Sequence, residues 1–359
     1  MKRQKLLPFL LLIQIILIPF LGYFPNEVER FYSKGCYPFI SKSLRMVFGN
    51  FPYSVGDVLY FLLIVFGIQW VWTNRKSWKT HWKNNMLKIV SCFSLIYFAF
   101  HLLWGFNYYR QPLFEKMKIE RDYTDADLLV FTKKLIAKTN AVQYQLTQNK
   151  KEKIVLPYSQ EQVFKMNVNG FSNLAKEYLA FYYTDLSAKK SLFSLPLTYM
   201  GFGGYLNPFT NEAQVNSLLP MYHSPTTSCH EMAHQMGYAS ESECNFIGFM
   251  ASVKNKDLYF KYSGYSFALR YCLANWQMRN KAVYKQLLQT VHSGILKNYK
   301  ESDDFWKAYE TPIEKGFHLF YDTFLKWNQQ AAGLDSYADV LKWVRAYRLK
   351  TDSSTSYSQ

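Results

Sequence analysis

Two histidines and a glutamate lie within five residues of one another, in the stretch His230-Glu231-Met232-Ala233-His234. Side chains four residues apart project from the same face of an α-helix, so both imidazoles can reach one metal ion. Two imidazole nitrogens are suitable ligands for a tetrahedral Zn²⁺, with bonds of about 2.0–2.1 Å. Glu231 lies about 100° around such a helix from His230, where it can reach a zinc-activated water without being a ligand. The spacing therefore predicts metal-assisted hydrolysis with Glu231 as the general base.

The residues that flank this motif predict a short helix. Ser224 offers a side-chain acceptor at the N-cap, and Pro225 after it has no amide to leave unsatisfied. Gly237 is a suitable residue to end the helix. Met232 and Ala233 leave little room for a solvated polar face, and burying two histidines and a carboxylate among them is unfavourable without a partner. The pattern therefore indicates a metal site rather than a polar surface helix.

A catalytic zinc needs a third protein ligand, which we expect on the next helix. Ser240 and Glu243 form a capping-box signature, so a second helix should begin near Glu241. A tight turn around residues 237–239 would fold it back beside the first helix. Either Glu241 or Glu243 could complete a His-His-Glu site, but they point to nearly opposite sides of the helix, so only one should.

The stretch Glu241-Ser-Glu-Cys-Asn245 resembles the second motif of the gluzincin metallopeptidases, in which HExxH is followed on a later helix by Glu-x-x-Ala-Asp. Here Cys244 stands in place of the Ala and Asn245 in place of the Asp. The resemblance implies that Glu241 is the third zinc ligand and that Asn245 supports a ligating histidine. It also implies a zincin-like peptidase that acts on a peptide or protein substrate, with a strand in 205–215 pairing with the substrate backbone.

Residues 104–110, Trp-Gly-Phe-Asn-Tyr-Tyr-Arg, carry a second resemblance. They are similar to a motif at the exit of the last membrane span in a bacterial family of gluzincin-like membrane proteins of unknown function. That likeness covers nearly the whole chain. It implies a few N-terminal membrane spans before the metallopeptidase domain, and it implies no particular substrate.

Peptide hydrolysis also needs a hydrogen-bond donor for the oxyanion, usually a Tyr, His or Arg. Tyr222, His223, Tyr262 and Tyr265 are candidates. The chain has 29 tyrosines, each more often structural than catalytic, so the sequence does not choose among them.

The segments around the motif predict an α+β domain that is mostly helical, with a small antiparallel sheet. Capped helices are expected at 124–146 and 159–182, and helical spacing continues from about residue 257 almost to the end, including 314–330 and 337–348. The β-compatible segments are 194–200, 205–209 and 212–215, with a hairpin turn at 210–211 between the last two.

The first part of the chain, residues 1–109, is predicted to be a membrane region with transmembrane helices at 6–24, 55–72 and 87–108. The first is an uncharged run of 19 residues, which spans about 28 Å as a helix. A signal peptide is the alternative, but the run is long and no small-residue cleavage site follows it. The second has only 15 clean apolar residues, so a re-entrant or interfacial segment stays an alternative.

The distribution of basic residues predicts the orientation in the membrane. The N-terminus and the segment 73–85 carry Lys and Arg without Asp or Glu, whereas 25–57 mixes both signs. Both basic segments should be cytoplasmic, so three spans place the domain at 110–350 outside the cytoplasm. We therefore expect a multi-pass protein of the cytoplasmic (inner) membrane, in contact with the lipid bilayer, with a periplasmic catalytic domain and a disordered tail at 351–359.

The formal charge of +16 does not predict a nucleic-acid partner, because much of it flanks the apolar runs and no nucleic-acid-binding motif is present. The five cysteines have no CxxC spacing, so neither a structural zinc site nor a disulfide framework is indicated.

Two other classes of function fit the sequence. The first is a catalytically inactive metal-binding scaffold, or pseudoenzyme, which would not depend on Glu231. The second is a transport component, which predicts ionisable residues inside the spans. Only His101 and the terminal Asp57 and Lys88 meet that condition.

Overall fold

The structure, a computed structural model, describes residues 3–117 and 124–328. It is mostly helical and contains a small three-stranded mixed sheet. The expected helix at 337–348 and the expected disordered tail at 351–359 lie outside the described residues.

Among the described residues, five α-helices come before residue 104 and the others after it. The first group is α1 (Arg3–Phe20), α2 (Pro25–Glu27), which continues as a π-helix at Val28–Cys36, α3 (Tyr37–Phe48), α4 (Val55–Asn74) and α5 (Trp78–Leu103). The second group, with the strands in their places, is α6 (Leu113–Met117), α7 (Asp125–Thr147), α8 (Gln160–Ala175), β1 (Ala188–Lys190), α9 (Ser194–Tyr199), β2 (Gly204–Asn207), β3 (Glu212–Val215), α10 (Ser224–Gln235), α11 (Glu241–Lys254), α12 (Leu258–Arg279), α13 (Lys281–Gln289), α14 (Ser293–Ala308) and α15 (Pro312–Trp327).

The two capped helices expected before the motif are confirmed as α7 and α8. Thr124 and Asp127 form a capping box at the start of α7, and Ser159 and Gln162 form one at the start of α8. The expected extension of α8 to residue 182 is wrong. The chain turns after Ala175 and re-enters the core through a 3₁₀ turn at Leu179–Phe181.

The sheet has the order β1-β3-β2. The expected antiparallel pair is present as β2 and β3, with Tyr205 opposite Gln214. The sheet is nevertheless mixed rather than antiparallel, because β1 joins β3 in parallel, with Ala188 opposite Ala213. No sequence pattern predicted β1, which has only three residues, two of them lysines.

The segment 194–200, expected to be β-compatible, is helical. Pro196 lies in the first turn of α9, where its missing amide leaves no hydrogen bond unmade. The Thr198 hydroxyl donates to the carbonyl of Ser194, one turn earlier. A short apolar run does not distinguish a strand from a buried helix by its period, which explains the wrong prediction.

Two stretches of the described helices are long and apolar enough to cross a membrane, Lys5–Tyr23 and Val55–Leu103. The second contains both α4 and α5, which are joined by a 3₁₀ turn at Arg75–Ser77. Few side chains in either stretch are buried, and α5 packs along α1. Lipid is a favourable environment for such surfaces, so these stretches support an association with a membrane.

The segment between the first two apolar runs is largely helical and packs against the domain that carries the motif. Tyr37 and Ser41, one turn apart on α3, both donate hydrogen bonds to the carbonyl of Gln235, at 2.9 and 2.8 Å. Ser41 Oγ also lies 2.9 Å from Oδ1 of Asn211, at the β2–β3 turn. This helix therefore fixes the end of α10 relative to the sheet.

The motif helix α10 and the following helix α11 pack closely at the centre of the main hydrophobic core. A Cβ atom at Gly248 would lie 3.0 Å from the carbonyl oxygen of Thr226 and 3.1 Å from the backbone nitrogen of His230. The missing side chain at Gly248 thus permits the close approach that puts α11 beside the histidines.

Candidate metal centre

The helix α10 carries the histidine motif. Its C-terminal end was predicted correctly, whereas the N-cap was not. The expected N-cap, Ser224, is instead the first helical residue, because a 3₁₀ turn at Met221–His223 runs directly into the helix. Pro225 lies in the first turn as expected. Gly237 follows the end of the helix with φ +84°, a left-handed conformation that glycine adopts without steric strain.

The structure brings His230, His234 and Glu241 together. Their nearest ligand atoms form a triangle: His230 Nε2 lies 3.2 Å from His234 Nε2, and Glu241 Oε2 lies 3.1 Å from the first nitrogen and 3.6 Å from the second. Three ligands that each lie 2.0–2.1 Å from a tetrahedral metal are about 3.3 Å apart. The triangle therefore has the size that a zinc ion requires.

The other nitrogen of each imidazole faces an oxygen that can only accept a hydrogen bond. His230 Nδ1 lies 2.8 Å from the side-chain oxygen of Asn245, and His234 Nδ1 lies 2.8 Å from the carbonyl of Tyr238. An acceptor beside Nδ1 favours the tautomer with its proton there, which leaves Nε2 of a neutral ring able to bind a metal. The two Nε2 atoms and the Glu241 carboxylate converge, an arrangement that a cation stabilises.

Glu231 borders the same triangle. Ligand atoms of His230, Glu231 and His234 all lie within 4.8 Å of one another. Glu231 is buried, and its Oε2 has no hydrogen-bond partner among residues 3–117 and 124–328. Burial raises the pKa of its carboxyl, and the nearby charge of Glu241 adds to that effect, while the two histidines oppose it. A buried carboxylate oxygen without a partner is available to water or to a metal.

The two candidate third ligands point to different places. α11 begins at Glu241 as predicted, but the capping box does not form, and the Ser240 hydroxyl lies 3.1 Å from that of Ser242. Glu243 Oε1 instead accepts a hydrogen bond of 2.7 Å from the amide of Leu113. The structure thus brings Glu241 to the histidines and directs Glu243 away from them.

Several residues that hold the site in place were not predicted from the sequence. Tyr321 on α15 donates a 2.7 Å hydrogen bond to Glu241 Oε1, from 80 residues away. Trp104 Nε1 donates to the carbonyl of His234 at 3.0 Å, and Arg110 Nη1 donates to that of Gly237 at 2.7 Å. The motif at 104–110 was a visible signal for the last two contacts, whereas nothing local to Tyr321 indicated its role.

A Cβ atom at Gly204 would lie 2.7 Å from Glu231 Oε1 and 2.6 Å from the carbonyl oxygen of Gln214. Strand β2 therefore passes directly against the candidate general base. Because β2 pairs only with β3, it is an edge strand of the described sheet. The edge of the described sheet therefore lies beside Glu231.

His230, Glu231, His234 and Glu241, here called the His-Glu cluster, line a cavity of about 1540 Å³. Of the four candidate oxyanion donors, His223 alone lines it. Burial lowers the pKa of His223 to about 3, so its ring is neutral at pH 7. Tyr222 and Tyr262 are buried, and their hydroxyls bond to Ser302 and Asn298 instead. The cavity also has polar side chains that the sequence analysis did not select, among them Arg270, Tyr271 and His318.

Comparison with curated proteins found no match, and comparison with solved structures found none either. A family model described as "Protein of unknown function (DUF3810)" matches residues 32–345. The matched region includes α4, α5, the segment 104–110 and the whole His-Glu cluster. The chain therefore belongs to the DUF3810 family.

Proposed function

We propose that this chain is a membrane-anchored, zinc-dependent metallopeptidase that hydrolyses peptide bonds in a peptide or protein substrate. One observation carries the proposal: two imidazole Nε2 atoms and a carboxylate converge beside the buried carboxylate of Glu231, one oxygen of which has no hydrogen-bond partner in the described part of the chain. The resemblance of the Glu241-Ser-Glu-Cys-Asn245 stretch to the gluzincin motif also supports it, because it implies that Glu241 is a zinc ligand and that Asn245 supports a ligating histidine.

His230, His234 and Glu241 would hold the metal. Two imidazoles and one carboxylate are the ligand set of many hydrolytic zinc sites, and they leave the fourth position for water or substrate. A zinc ion held by these residues would lower the pKa of water and polarise the scissile carbonyl. The hydrogen bonds from Nδ1 of each ring orient the imidazoles and make them stronger ligands.

Glu231 is the proposed general base. Its free Oε2 can take a proton from the attacking water and later deliver it to the leaving amine. Burial, which raises its pKa, makes the carboxylate a better proton acceptor than an exposed glutamate. The edge of β2 would align the substrate backbone, and the neutral His223 ring can donate a hydrogen bond to the oxyanion.

We further propose that α1, α4 and α5 are three membrane spans of a protein in the cytoplasmic (inner) membrane. The apolar character of Lys5–Tyr23 and Val55–Leu103 supports this assignment. The basic residues of the N-terminus and of the segment 73–85 support an orientation with both segments in the cytoplasm. In that orientation the proposed metal centre would lie on the periplasmic side.

Purified full-length protein in detergent tests the proposal, with zinc measured by mass spectrometry and hydrolysis measured on a mixed peptide library. The wild-type chain should bind one zinc and cleave peptides. Glu231→Gln keeps the shape of the side chain but cannot accept the proton, so it should keep the zinc and lose about 10²–10⁴-fold in rate. His230→Ala should lose both. Zinc without hydrolysis in the wild-type chain would favour the inactive scaffold, and absence of zinc would overturn both functions.

A further inference from the structure

One continuous cavity joins the His-Glu cluster to the helices that are candidate membrane spans. At one end it is lined by His230, Glu231, His234 and Glu241. At the other it is lined by side chains of α4 and α5, including Tyr60, Leu63, Ile64, Phe93 and Ile96.

The cavity wall extends far along both helices. Ile64 is nine residues beyond the start of α4 at Val55, and Phe93 is ten residues before the end of α5 at Leu103. At about 1.5 Å per residue, these positions lie roughly 14 and 15 Å along the helices. With α4 and α5 as the proposed spans, lipid rather than water surrounds this part of the cavity wall.

The deep part of the wall is apolar. Leu63, Ile64, Phe93 and Ile96 all line the cavity and are 40–60% exposed. An occupant there must have an apolar surface and no unsatisfied backbone groups, because no water is present to satisfy them. A helical polypeptide segment meets both conditions.

The part of the cavity beside the proposed metal ligands suits an extended chain with free backbone groups rather than a helix. The edge of β2, from Gly204 to Leu206, offers backbone donors and acceptors to an extended chain. The volume of about 1540 Å³ also exceeds the 300–1,000 Å³ typical of small-molecule sites. One occupant fits both ends: a polypeptide that is helical in the membrane and extended just outside it.

We propose, on the basis of the proposed peptidase function, that the substrate is a membrane protein with a transmembrane segment. That segment enters from the lipid between α4 and α5, and the bond that is cleaved lies just outside the hydrocarbon layer. Water adds across the peptide bond, with the hydroxyl going to the carbonyl carbon and a proton to the leaving amine. The anchored fragment is then released back into the bilayer.

Photocrosslinking tests where a membrane segment binds. The full-length Glu231→Gln protein would carry benzoylphenylalanine at position 64 or 96, with positions 62 and 98 as controls. Leu62 and Phe98 are also exposed on α4 and α5 but do not line the cavity. The probe is a synthetic peptide with a 20-residue Leu/Ala helix and a polar tail, in phosphatidylcholine vesicles. We expect peptide adducts at least fivefold more abundant at 64 and 96 than at the controls. Equal labelling, or adducts with phospholipid alone, would overturn the proposal.

A kinetic comparison separates this inference from the proposed function. For a cleavable tail sequence taken from the peptide library, the spanning peptide should be cut at least tenfold more efficiently than the tail alone. Ile64→Trp should narrow the cavity and reduce that preference, whereas Leu62→Trp should not. If both peptides are cut equally well, the peptidase function stands and the membrane substrate is wrong. If neither is cut, the peptidase function fails, and crosslinking still decides what occupies the cavity.

Discussion

Asn245 Oδ1 lies 2.8 Å from Nδ1 of His230, on the same face of α11 that brings Glu241 Oε2 within 3.1 Å of Nε2 of the same ring. Glu241 and Asn245 are four residues apart, so one helix face contacts both nitrogens of a single imidazole. The proposed metal ligand and the residue that orients the histidine are therefore positioned by the same turn of helix. Any shift of α11 along α10 would disturb both contacts at once.

The effect of replacing Asn245 on zinc affinity should depend on whether the new side chain can accept a hydrogen bond from His230 Nδ1. Asn245→Leu removes the acceptor for Nδ1–H and should weaken zinc binding about 10–100-fold. Asn245→Asp keeps an acceptor, and because Nδ2 of Asn245 has no partner in the described part of the chain, it should retain the wild-type affinity or exceed it. Competition with a zinc chelator measures both constants. Equal affinity in the Leu variant would show that the contact does not support the ligand.

The two glutamates of α11 provide a matched pair of variants. Glu241→Gln should lose zinc, because an amide oxygen is a poorer ligand than a carboxylate. Glu243→Gln should keep the zinc, because its amide oxygen can still accept the hydrogen bond from the amide of Leu113. Zinc content of the two purified variants is the measurement. Equal loss in both would contradict the assignment of Glu241 as the ligand.

The parts of this site that could be predicted are those with local sequence signals. The four-residue spacing of the histidines, the glycine at 237 and the start of the next helix at Glu241 were all visible without a structure. Helix spacing alone could not decide whether Glu241 or Glu243 is the third ligand, because that depends on how α11 is rotated against α10. The close contact at Gly248 sets that rotation, and single-sequence periodicity carries no information about it.

The parts that were missed are contacts made from far along the chain. α3 lies in the segment 25–57, for which no helix was predicted, and its buried face consists of Tyr37, Ser41 and Arg45. Such a polar face looks like a solvent-exposed one, so hydrophobic periodicity does not reveal it. The contact of Tyr321 with Glu241 could not be predicted either, since a tyrosine on an amphipathic helix indicates nothing about a partner 80 residues away.

Gly204→Ala should reduce hydrolysis without removing zinc. The added Cβ would lie within 2.7 Å of Glu231 Oε1 and of the backbone of the paired strand, so the side chain of Glu231 must move. We expect at least a tenfold fall in rate with zinc content unchanged. Gly316→Ala is the control, because nothing lies within 4 Å of a Cβ there. Unchanged activity in the Gly204 variant would show that the close contact between β2 and Glu231 does not matter for hydrolysis.

The buried Glu29 should make the stability of the fold depend on pH. Burial alone would raise the pKa of its carboxyl, but hydrogen bonds and charge from Arg110 and Lys116 lower it from 4.5 to about 2. A carboxyl whose pKa is lower in the folded state stabilises that state above its unfolded pKa. The contribution of Glu29, on the order of 3 kcal/mol, is therefore complete above about pH 5 and is lost as the pH falls from 4.5 through 2.

Glu29→Gln tests this dependence, because it keeps the volume of the side chain and removes its charge. In thermal unfolding of the detergent-solubilised protein, Tm of the variant should lie below that of the wild-type chain at pH 6. The gap should narrow steadily towards pH 2, where the wild-type carboxyl also becomes neutral. Glu27→Gln, on the exposed side of the same segment, should leave the pH dependence of Tm unchanged. A gap of constant size from pH 6 to pH 2 would mean that packing, rather than the charge of Glu29, joins this segment to Arg110.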